Sequence, residues 1–330
     1  MESQPDLILP PGTALKSERL KSEQLESEQL GQPQRPLPQR QTRPWGAWAT
    51  TALFVGPLLL VLLVFLIAPA FAVLIGAFRT DSVEGSAPGF TLQHLRDLAQ
   101  PQYLAGLKNS VLLSLGSALL GTVVGGLLAY AVLGEGGPAW LRNPLIAFSG
   151  VAANFAGVPL ALAFVAALGT TGMITRLLSA VGLNLYQHGF SLFTFSGLIV
   201  VYTYFQIPLM VVLITPAIDG LRREWREAAE NLGASAGQFW RHVGLPILAP
   251  SLLASLVLLF GNAFSAYATA YALTSGSIPL LPLQIGAVLS GNVLSDPHLG
   301  QALALLVIAV MALTIGLYTW LERLGSRWRQ

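Results

Sequence analysis

The stretch NSVLLSLGSALLGTVVGGLLAYAVLG, residues 109–134, contains no Asp, Glu, Lys or Arg. A helix of about 20 apolar residues is long enough to cross the ~30 Å hydrocarbon core of a bilayer. A charge at the bilayer centre costs ~2.5 to 3.5 kcal/mol even on the lenient insertion scale. The length of this uncharged stretch therefore predicts a transmembrane helix.

Five further uncharged stretches flank this one, at residues 44–78, 143–175, 177–218, 242–295 and 297–321. Each is long enough to span a bilayer. Residues 242–295 could hold two spans, but prolines and polar side chains interrupt the second part. Only Leu252–Leu273 is therefore predicted to cross there. The sequence predicts an all-α integral membrane protein with six transmembrane helices.

The composition of the 330 residues also indicates a protein surrounded by lipid. Hydrophobic residues make up 53% and charged residues 10%, whereas a soluble domain carries ~25% charged residues. The net charge of +2 gives no support for nucleic-acid binding, which depends on neutralising phosphates. The absence of cysteine excludes a thiolate metal site, a disulfide framework and a catalytic cysteine. No metal site is predicted.

Lysine and arginine are distributed unevenly between the two sides of the predicted bundle. With both termini in the cytoplasm, most of them lie inside, in residues 1–43, in the loop after the fourth span and in residues 322–330. This bias agrees with the positive-inside rule. Residues 1–43 combine a short Ser-Glu repeat with a Pro/Gln/Arg-rich stretch, which predicts a disordered cytoplasmic tail. Residues 322–330 are predicted to form a second, shorter tail.

The loop between the fourth and fifth spans is the most charged segment after the N-terminal tail. On a period of 3.6 residues, one face of this loop is apolar or small and comprises Trp225, Ala228, Ala229 and Leu232. This pattern predicts an amphipathic helix. Gly233 then favours a break in that helix, because glycine adopts backbone conformations that other residues avoid.

A second short helix is predicted directly after this glycine. Ser235 and Gln238 have the spacing of a capping box. Gly244 and Pro246 are expected to end the second helix before the next span begins. The periodicity alone would fit an interfacial helix that only links two spans, so it does not decide the function of the loop.

The order of residues in this loop is more specific than its periodicity. Glu227–Ala229 reads Glu-Ala-Ala and is followed after three residues by Gly233, after nine more by Val243, and after one more by Leu245–Pro246. This order resembles the EAA loop of the membrane subunits of binding-protein-dependent ABC importers, with valine in place of the usual isoleucine. A softer similarity to the type I importer core extends over residues 109–321.

The resemblance implies a fold and a set of contact residues. The fold is that of a type I ABC importer permease with a methionine-permease-like core. Its parts are a first transmembrane helix at residues 44–78, a five-helix core at 109–321 and, within that core, a coupling loop at 219–246. In the family this loop forms the coupling helix that sits in the ATPase subunit. Six residues are implied to couple the chain to the ATPase, and the first four are implied to contact it: Glu227, Ala228, Ala229, Gly233, Leu245 and Pro246.

The resemblance also implies a function and partners. The chain would be the permease subunit of an ATP-driven importer, multi-pass in a bacterial-type inner membrane with both termini cytoplasmic. Its partners would be ABC ATPase subunits, a second permease of the same or a different chain, a solute-binding protein and the lipid bilayer, with no nucleic acid. The ATPase would bind ATP and magnesium, and this chain would bind no cofactor. Residues 157–164 and 266–274 resemble the branch that imports polyamines and related organic cations, so spermidine or putrescine is one expected substrate. The sulfate, thiamine, iron and phosphonate branches share much of the same core, so the substrate stays open.

Two other functions have less support from the sequence. Lys16, Lys21 and Lys108 each follow a leucine, so the Gly-Lys pair of a P-loop is absent, and the chain is not expected to be an ATPase or another enzyme. The alternative is an ion-coupled secondary transporter of a small organic solute. Such carriers usually place an acidic residue or a histidine at mid-membrane, and the predicted spans contain no Asp or Glu. This weakens the alternative and leaves it open.

Polar and aromatic side chains inside spans are costly unless they face the bundle interior. They are therefore candidates for lining a translocation path. The candidates are Asn154 in the third span, Tyr202, Tyr204 and Gln206 in the fourth, and Asn262, Ser265, Tyr267 and Tyr271 in the fifth. Hydrogen bonding between helices is the competing explanation for each of them.

Overall fold

The computed structural model describes residues 53, 55–80, 89–134, 136–187, 189–290 and 296–326. The chain divides into two compact units, residues 1–64 and 65–330. The described residues of the first unit are helical. The tail predicted at residues 1–43 lies outside the described residues.

Among the described residues, six helices are long and apolar enough to cross a membrane. They are Val55–Gly76, Pro101–Leu133, Gly157–Ala180, Phe195–Asp219, Ala236–Ser265 and Pro297–Arg323. The predicted number of spans is confirmed. The second part of residues 242–295 forms only a short apolar helix, Leu281–Ser290, which is too short to cross a bilayer.

Numbered in chain order from residue 68, the α-helices are α1 (Ala68–Gly76), α2 (Gln93–Asp97), α3 (Pro101–Leu133), α4 (Ala139–Ala152), α5 (Gly157–Leu168), α6 (Met173–Ala180), α7 (Phe195–Asp219), α8 (Arg223–Asn231), α9 (Ala236–Phe239), α10 (Leu245–Ser265), α11 (Tyr267–Thr274), α12 (Leu281–Ser290) and α13 (Pro297–Ser326). One π-helical turn, Leu63–Ile67, precedes α1, and a second, Trp240–Gly244, lies between α9 and α10. Strands β1 (Arg79–Thr80) and β2 (Gly89–Phe90) form a short antiparallel pair.

Helices α3 and α7 pack closely because small residues line their contact. A Cβ atom at Gly121 would lie 2.5 Å from the Cβ of Gln206. A Cβ atom at Gly125 would lie 2.6 Å from the carbonyl oxygen of Ile207. Both distances are too short for a real side chain, so only glycine permits this approach. The two glycines are four residues apart, the small-xxx-small spacing by which membrane helices associate.

The buried core of the second unit is built around α7. Tyr202 and Phe205 lie in the half of α7 that the predicted topology places on the extracytoplasmic side. They pack with α5, α11 and α12. Further along α7, Met210 and Ile214 pack with α3 and α10. This helix therefore contacts several of its neighbours and positions the segment that follows it, which contains the coupling loop.

The third uncharged stretch does not form one continuous helix. Residues 143–175 are divided between α4, α5 and the start of α6. The first break lies between Ala152 and Gly157, and Gly157 has a φ of +75°, in the left-handed region that favours glycine. The candidate span is Gly157–Ala180, so the boundary predicted from charge alone was wrong at its N-terminal end.

The fifth span is displaced toward the coupling loop from the position predicted for it. It covers Ala236–Ser265 rather than Leu252–Leu273. The backbone leaves the helical conformation at Ala266, which has φ −77° and ψ 83°, and α11 begins after it. The freed carbonyl oxygen of Ala266 accepts a hydrogen bond from the Tyr202 hydroxyl at 2.5 Å, so the break leaves this polar group satisfied.

Two further predicted boundaries differ from the structure. The second span begins at Pro101, before the charged residue Lys108 that was used to bound it, because charge near a helix end is tolerated where it reaches the membrane surface. The final helix continues to Ser326, so residues predicted as the start of a C-terminal tail are helical. Residues 327–330 lie outside the described part of the chain.

Candidate functional site

The amphipathic helix predicted in the coupling loop is α8. It contains no buried residue, and two ion pairs at i,i+4 spacing run along it, Arg223–Glu227 and Arg226–Glu230, each at 2.9 Å. Such exposed pairs add ~0.3 to 0.5 kcal/mol each to a helix. Ala228 is exposed and Ala229 is half-buried. Helix α8 thus presents a short, small-residue surface outside the bundle.

A tight turn at Gly233 ends α8. Gly233 has a φ of +79°. Its N–H donates to the carbonyl oxygen of Glu230 at 2.9 Å, and the N–H of Ala234 donates to that of Ala229 at 2.9 Å. These two bonds define a Schellman motif, which satisfies the last helical carbonyls and needs a left-handed residue at the glycine position. The predicted break at Gly233 is therefore confirmed, with its physical reason.

The capping box predicted after this turn is present. The N–H of Gln238 donates to the Ser235 hydroxyl at 3.3 Å, and the Gln238 side chain accepts from the N–H of Ser235 at 2.8 Å. These bonds fix the start of α9. The segment from Gly233 to Ser235 is therefore a defined joint between two helices, with specified hydrogen bonds on both sides.

Gly244 and Pro246 do not end the second helix, contrary to the prediction. The π turn Trp240–Gly244 joins α9 to α10, and the N–H of Leu245 donates to the carbonyl oxygen of Trp240. Pro246 is the second residue of α10, directly after the π turn. At Gly244 the absence of a side chain leaves room for the Trp240 ring, which a Cβ would approach to 2.7 Å. The loop thus enters the fifth span as one continuous helix.

An ion pair that the sequence reasoning did not find holds the other end of the loop. The guanidinium of Arg142 on α4 donates to the carboxylate of Asp219, the last residue of α7, at 2.7 Å. The two residues are 77 positions apart, so no local pattern in the sequence joins them. This pair ties α4 to the point where the chain leaves the bundle for α8.

Two of the predicted path residues, Tyr202 and Gln206, are buried among the helices. The Gln206 amide Nε2 donates to the carbonyl oxygen of Leu259 on α10 at 2.8 Å, and the Tyr202 hydroxyl bonds to the carbonyl oxygen of Ala266. Both side chains are at most 1% exposed. In this structure they connect α7 to the fifth span rather than lining an open surface.

The other predicted path residues of the fourth and fifth spans are exposed, and Tyr267 and Tyr271 lie on α11 rather than in the fifth span, because that span ends at Ser265. Tyr204 packs edge-on against Phe164 of α5, with ring centroids 5.3 Å apart. The rings of Tyr267 and Tyr271 stack at 5.4 Å with an interplanar angle of 12°, and these residues are 40% and 51% exposed. Asn262 and Ser265 are exposed near the end of α10. The structure therefore places the exposed Tyr267–Tyr271 pair of α11 next to the exposed polar residues Asn262 and Ser265 at the end of α10.

Asn154 is not in a span. It lies in the turn between α4 and α5, is exposed, and its Nδ2 donates to the carbonyl oxygen of Gly150 at 2.9 Å. The prediction that it belongs to the third span was wrong, because the helix there is interrupted. Across the described part of the chain, no group of three His, Asp or Glu side chains is placed to hold a metal ion.

Comparison with known families identifies the chain. Residues 144–329 match the family described as "Binding-protein-dependent transport system inner membrane component". The chain belongs to this family. The recognition of an importer permease from its loop is confirmed, and the permease is a multi-pass membrane protein of the inner-membrane type, as its six apolar helices also indicate.

Individual relatives of the permease have different named substrates. The molybdenum transport system permease protein ModB of Mycobacterium tuberculosis is 29% identical over 157 residues, 47% of this chain and 56% of ModB. The chain thus spans little more than half the length of ModB. The spermidine/putrescine transport system permease protein PotC homolog of Mycoplasma pneumoniae is 25% identical over 276 residues, 80% of this chain and 90% of that protein.

A solved structure shares the fold of the permease. It is a bacterial ABC transporter involved in the import of the acidic polysaccharide alginate, with a TM-score of 0.64 and 19% identity over 85% of this chain and 99% of the matched chain. At this level of identity the match establishes the fold alone. The all-α importer-permease fold expected from the sequence is thereby confirmed.

Proposed function

We propose that this permease couples ATP hydrolysis by a separate ATPase subunit to the uptake of a small solute delivered by a solute-binding protein. The observation that carries the proposal is the joint at Gly233, which links the exposed helix α8 to a helix that runs without interruption from Ala236 to Ser265. A displacement imposed on α8 is thereby passed to a transmembrane helix.

The hydrogen bonds of the fifth span support this transmission. Gln206 on α7 bonds to the carbonyl oxygen of Leu259 in the last third of that span, and Tyr202 bonds to the carbonyl oxygen of Ala266 directly after it. Movement of the span would therefore be shared with α7, the most buried helix of the bundle. Alternating access of this kind is rigid-body rocking of packed helices around a central path.

The surface of α8 and its turn supports an ATPase as partner. Leu232 is 88% exposed at the end of the apolar face, and Glu227, Ala228 and Gly233 lie beside it on the surface. Small residues permit close approach, and a carboxylate accepts hydrogen bonds from a partner. The proposed assembly contains two ATPase subunits that bind ATP and magnesium, and a second permease that is identical to this chain or different from it. Both termini of this chain lie in the cytoplasm in this proposal.

The proposed substrate is an organic cation such as spermidine or putrescine. Two observations support this choice: similarity to the PotC homolog along 80% of the chain, and the exposed stacked pair Tyr267–Tyr271. Aromatic faces attract ammonium groups without a buried carboxylate. Uptake of labelled spermidine and of labelled molybdate by cells carrying the complete system tests this choice, since ModB is a relative named for molybdenum transport. Preferential molybdate uptake would refute it.

Co-purification tests the ATPase interface. Glu227→Lys reverses the charge of the residue at the start of the Glu-Ala-Ala segment and is expected to reduce the amount of ATPase subunit that purifies with the tagged permease. Glu224→Lys is the matched control, because Glu224 is also exposed on α8 but lies outside that segment. Equal loss in both variants, or loss in neither, would remove Glu227 from the interface.

Transport by proteoliposomes separates the proposed function from the ion-coupled alternative. Vesicles that contain the permease and its ATPase are expected to accumulate solute only when ATP and the solute-binding protein are supplied. Vesicles with the permease alone are expected to accumulate nothing under a proton or sodium gradient. Gradient-driven accumulation by the permease alone would establish a secondary transporter instead.

A further inference from the structure

A basic cavity lies at the end of the bundle where the coupling loop begins. Its volume is about 370 Å³, and the ends of α3 and α7 and the start of α8 form its walls. The charged side chains that line it are Asp219, Arg142, Arg222, Arg223 and Arg226. Arginines therefore outnumber carboxylates in this lining, which makes the cavity a favourable environment for an anion.

An apolar groove continues from this cavity along the bundle. Its volume is about 490 Å³, and α3, α7 and α10 line it. On α3 it extends from Thr122 to Tyr130, a length of roughly 12 Å at 1.5 Å per residue. One leaflet of the hydrocarbon core is roughly 15 Å thick. Val123 and Leu127 are exposed to the groove's open side, so it fits a single acyl chain in length and chemistry.

The cavity and the groove meet at two aromatic side chains. Tyr130 and Trp240 line both of them, and their rings contact edge to face with centroids 4.6 Å apart. Tyr and Trp are enriched where hydrocarbon meets water. This contact therefore indicates the level of the membrane interface, with the apolar groove on the hydrocarbon side and the arginines on the water side.

Arg222 is the arginine best placed to receive a phosphate. The other three have carboxylate partners, in the pairs Arg142–Asp219, Arg223–Glu227 and Arg226–Glu230. Among the described residues, Arg222 has no carboxylate within ion-pair distance, and its guanidinium lies 6.0 Å from the centroid of the Trp225 ring. Glu227 and Glu230 line a neighbouring cavity instead of this one, so they do not fill the positive site.

We propose that the cavity and groove together bind one anionic phospholipid, with its phosphate near Arg222 and an acyl chain along α3 and α10. Charge complementarity selects an anionic headgroup, and basic pockets between transmembrane helices are typical sites for such lipids. The site requires that the chain is inserted in a membrane, which follows from its family. It requires neither the ATPase nor the transported solute, so it stands independently of the proposed function.

Native mass spectrometry of the full chain tests this site. The protein is purified in detergent, exposed to equal amounts of phosphatidylglycerol and phosphatidylcholine with identical chains, and the retained lipids are counted. One phosphatidylglycerol is expected to be retained in preference to phosphatidylcholine. Arg222→Gln is expected to lower phosphatidylglycerol retention about fivefold, the effect of one arginine near an anionic headgroup. Arg241→Gln is the control, because Arg241 is exposed nearby but does not line the cavity.

A second variant tests the groove. A Cβ at Gly126 would make only ordinary van der Waals contact, 3.7 Å from the nearest side-chain atoms. Because Gly126 lines the groove, Gly126→Leu adds a side chain at the groove wall. Retention of both lipids is expected to fall in this variant. Equal retention of the two lipids by the unaltered chain, or unchanged phosphatidylglycerol retention in Arg222→Gln, would overturn the proposal.

Two competing occupants are distinguished by further outcomes. If millimolar inorganic phosphate displaces phosphatidylglycerol completely, the arginines bind small anions and the lipid proposal is wrong. If a second copy of the chain covers the groove, Leu127→Cys will crosslink two copies in the membrane, and this is readily measured because the sequence has no other cysteine. Such a crosslink would also contradict the proposal, whereas its absence together with lipid retention supports it.

Discussion

Substitution of Gly233 perturbs the joint between α8 and α9 without introducing a steric clash. A Cβ built on Gly233 has no heavy atom within 4 Å, so the effect of a side chain comes from the backbone alone. At a φ of +79°, a residue with a Cβ costs about 1 to 2 kcal/mol relative to glycine. This reduces the population of the Schellman turn by a factor of roughly 5 to 30.

The identity of the new residue should grade the effect. Gly233→Val is expected to impair coupling most, because a β-branched residue resists the left-handed region most strongly. Gly233→Ala should be intermediate. Gly233→Asn should retain most of the activity, since asparagine is enriched in left-handed conformations. Gly237→Ala is the matched control, because Gly237 is also in open space but lies inside α9, where alanine stabilises a helix by up to about 1 kcal/mol.

The assay is ATP hydrolysis by the permease–ATPase complex in lipid nanodiscs, with and without loaded solute-binding protein. Stimulation of ATP hydrolysis by the binding protein is expected to decrease from the unaltered protein to Gly233→Asn, then Gly233→Ala, then Gly233→Val. In Gly237→Ala it should remain at the level of the unaltered protein. Thermal unfolding of the permease should change little, because the turn is outside the buried core. Full stimulation in Gly233→Val, or equal impairment in Gly237→Ala, would refute the mechanical role of the turn.

Three other predictions concern packing and capping. Ser235→Ala removes the side chain that caps α9 and should destabilise the helix by about 1 kcal/mol. Hydrogen exchange at residues 236–239 should therefore accelerate. Unchanged exchange would argue against the cap. Arg142→Asp should lower the melting temperature slightly, since a half-exposed ion pair contributes at most about 1 kcal/mol. Combining Arg142→Asp with Asp219→Arg should restore the melting temperature. No recovery in the double variant would argue against a direct pair. Gly125→Leu should not give a monodisperse elution profile in size-exclusion chromatography, because its Cβ would approach the Ile207 carbonyl oxygen to 2.6 Å. The control Gly126→Ala should elute normally. Normal elution of both variants would contradict the close packing of α3 on α7.

Patterns confined to neighbouring residues were readable from the sequence. The number of spans follows from the uncharged stretches, because the cost of a buried charge acts wherever the residue lies in the hydrocarbon. The break at Gly233 and the capping box at Ser235 depend on bonds within a few residues, and both are present. The four-residue spacing of Gly121 and Gly125 favours close packing of membrane helices in general, whereas the identity of α7 as the partner helix comes from the structure.

Features that depend on distant contacts were not readable. The helix continues through Gly244 and Pro246 by a π turn at Trp240–Gly244. The Trp240 ring of this turn packs edge-on against Tyr130 of α3, a distant contact that a local rule for glycine and proline does not include. The fifth span ends at Ser265, and Tyr202 on another helix satisfies the carbonyl oxygen freed at Ala266. The partner of Arg142 is 77 residues away, beyond the third span and at the end of the fourth. In each case tertiary structure overrides the local preference.

Measurement of distances between pairs of spin labels would test the central claim most directly, namely that the coupling loop and the fifth span move together. Because the chain has no cysteine, labels can be attached to cysteines introduced at Arg241, Leu253 and Leu313, which are exposed. When ATP is trapped in the ATPase, the distance from residue 241 to residue 313 on α13 is expected to change by more than about 2 Å. The distance from residue 241 to residue 253 on α10 should stay constant. A change within the 241–253 pair, or no change in either pair, would contradict the account.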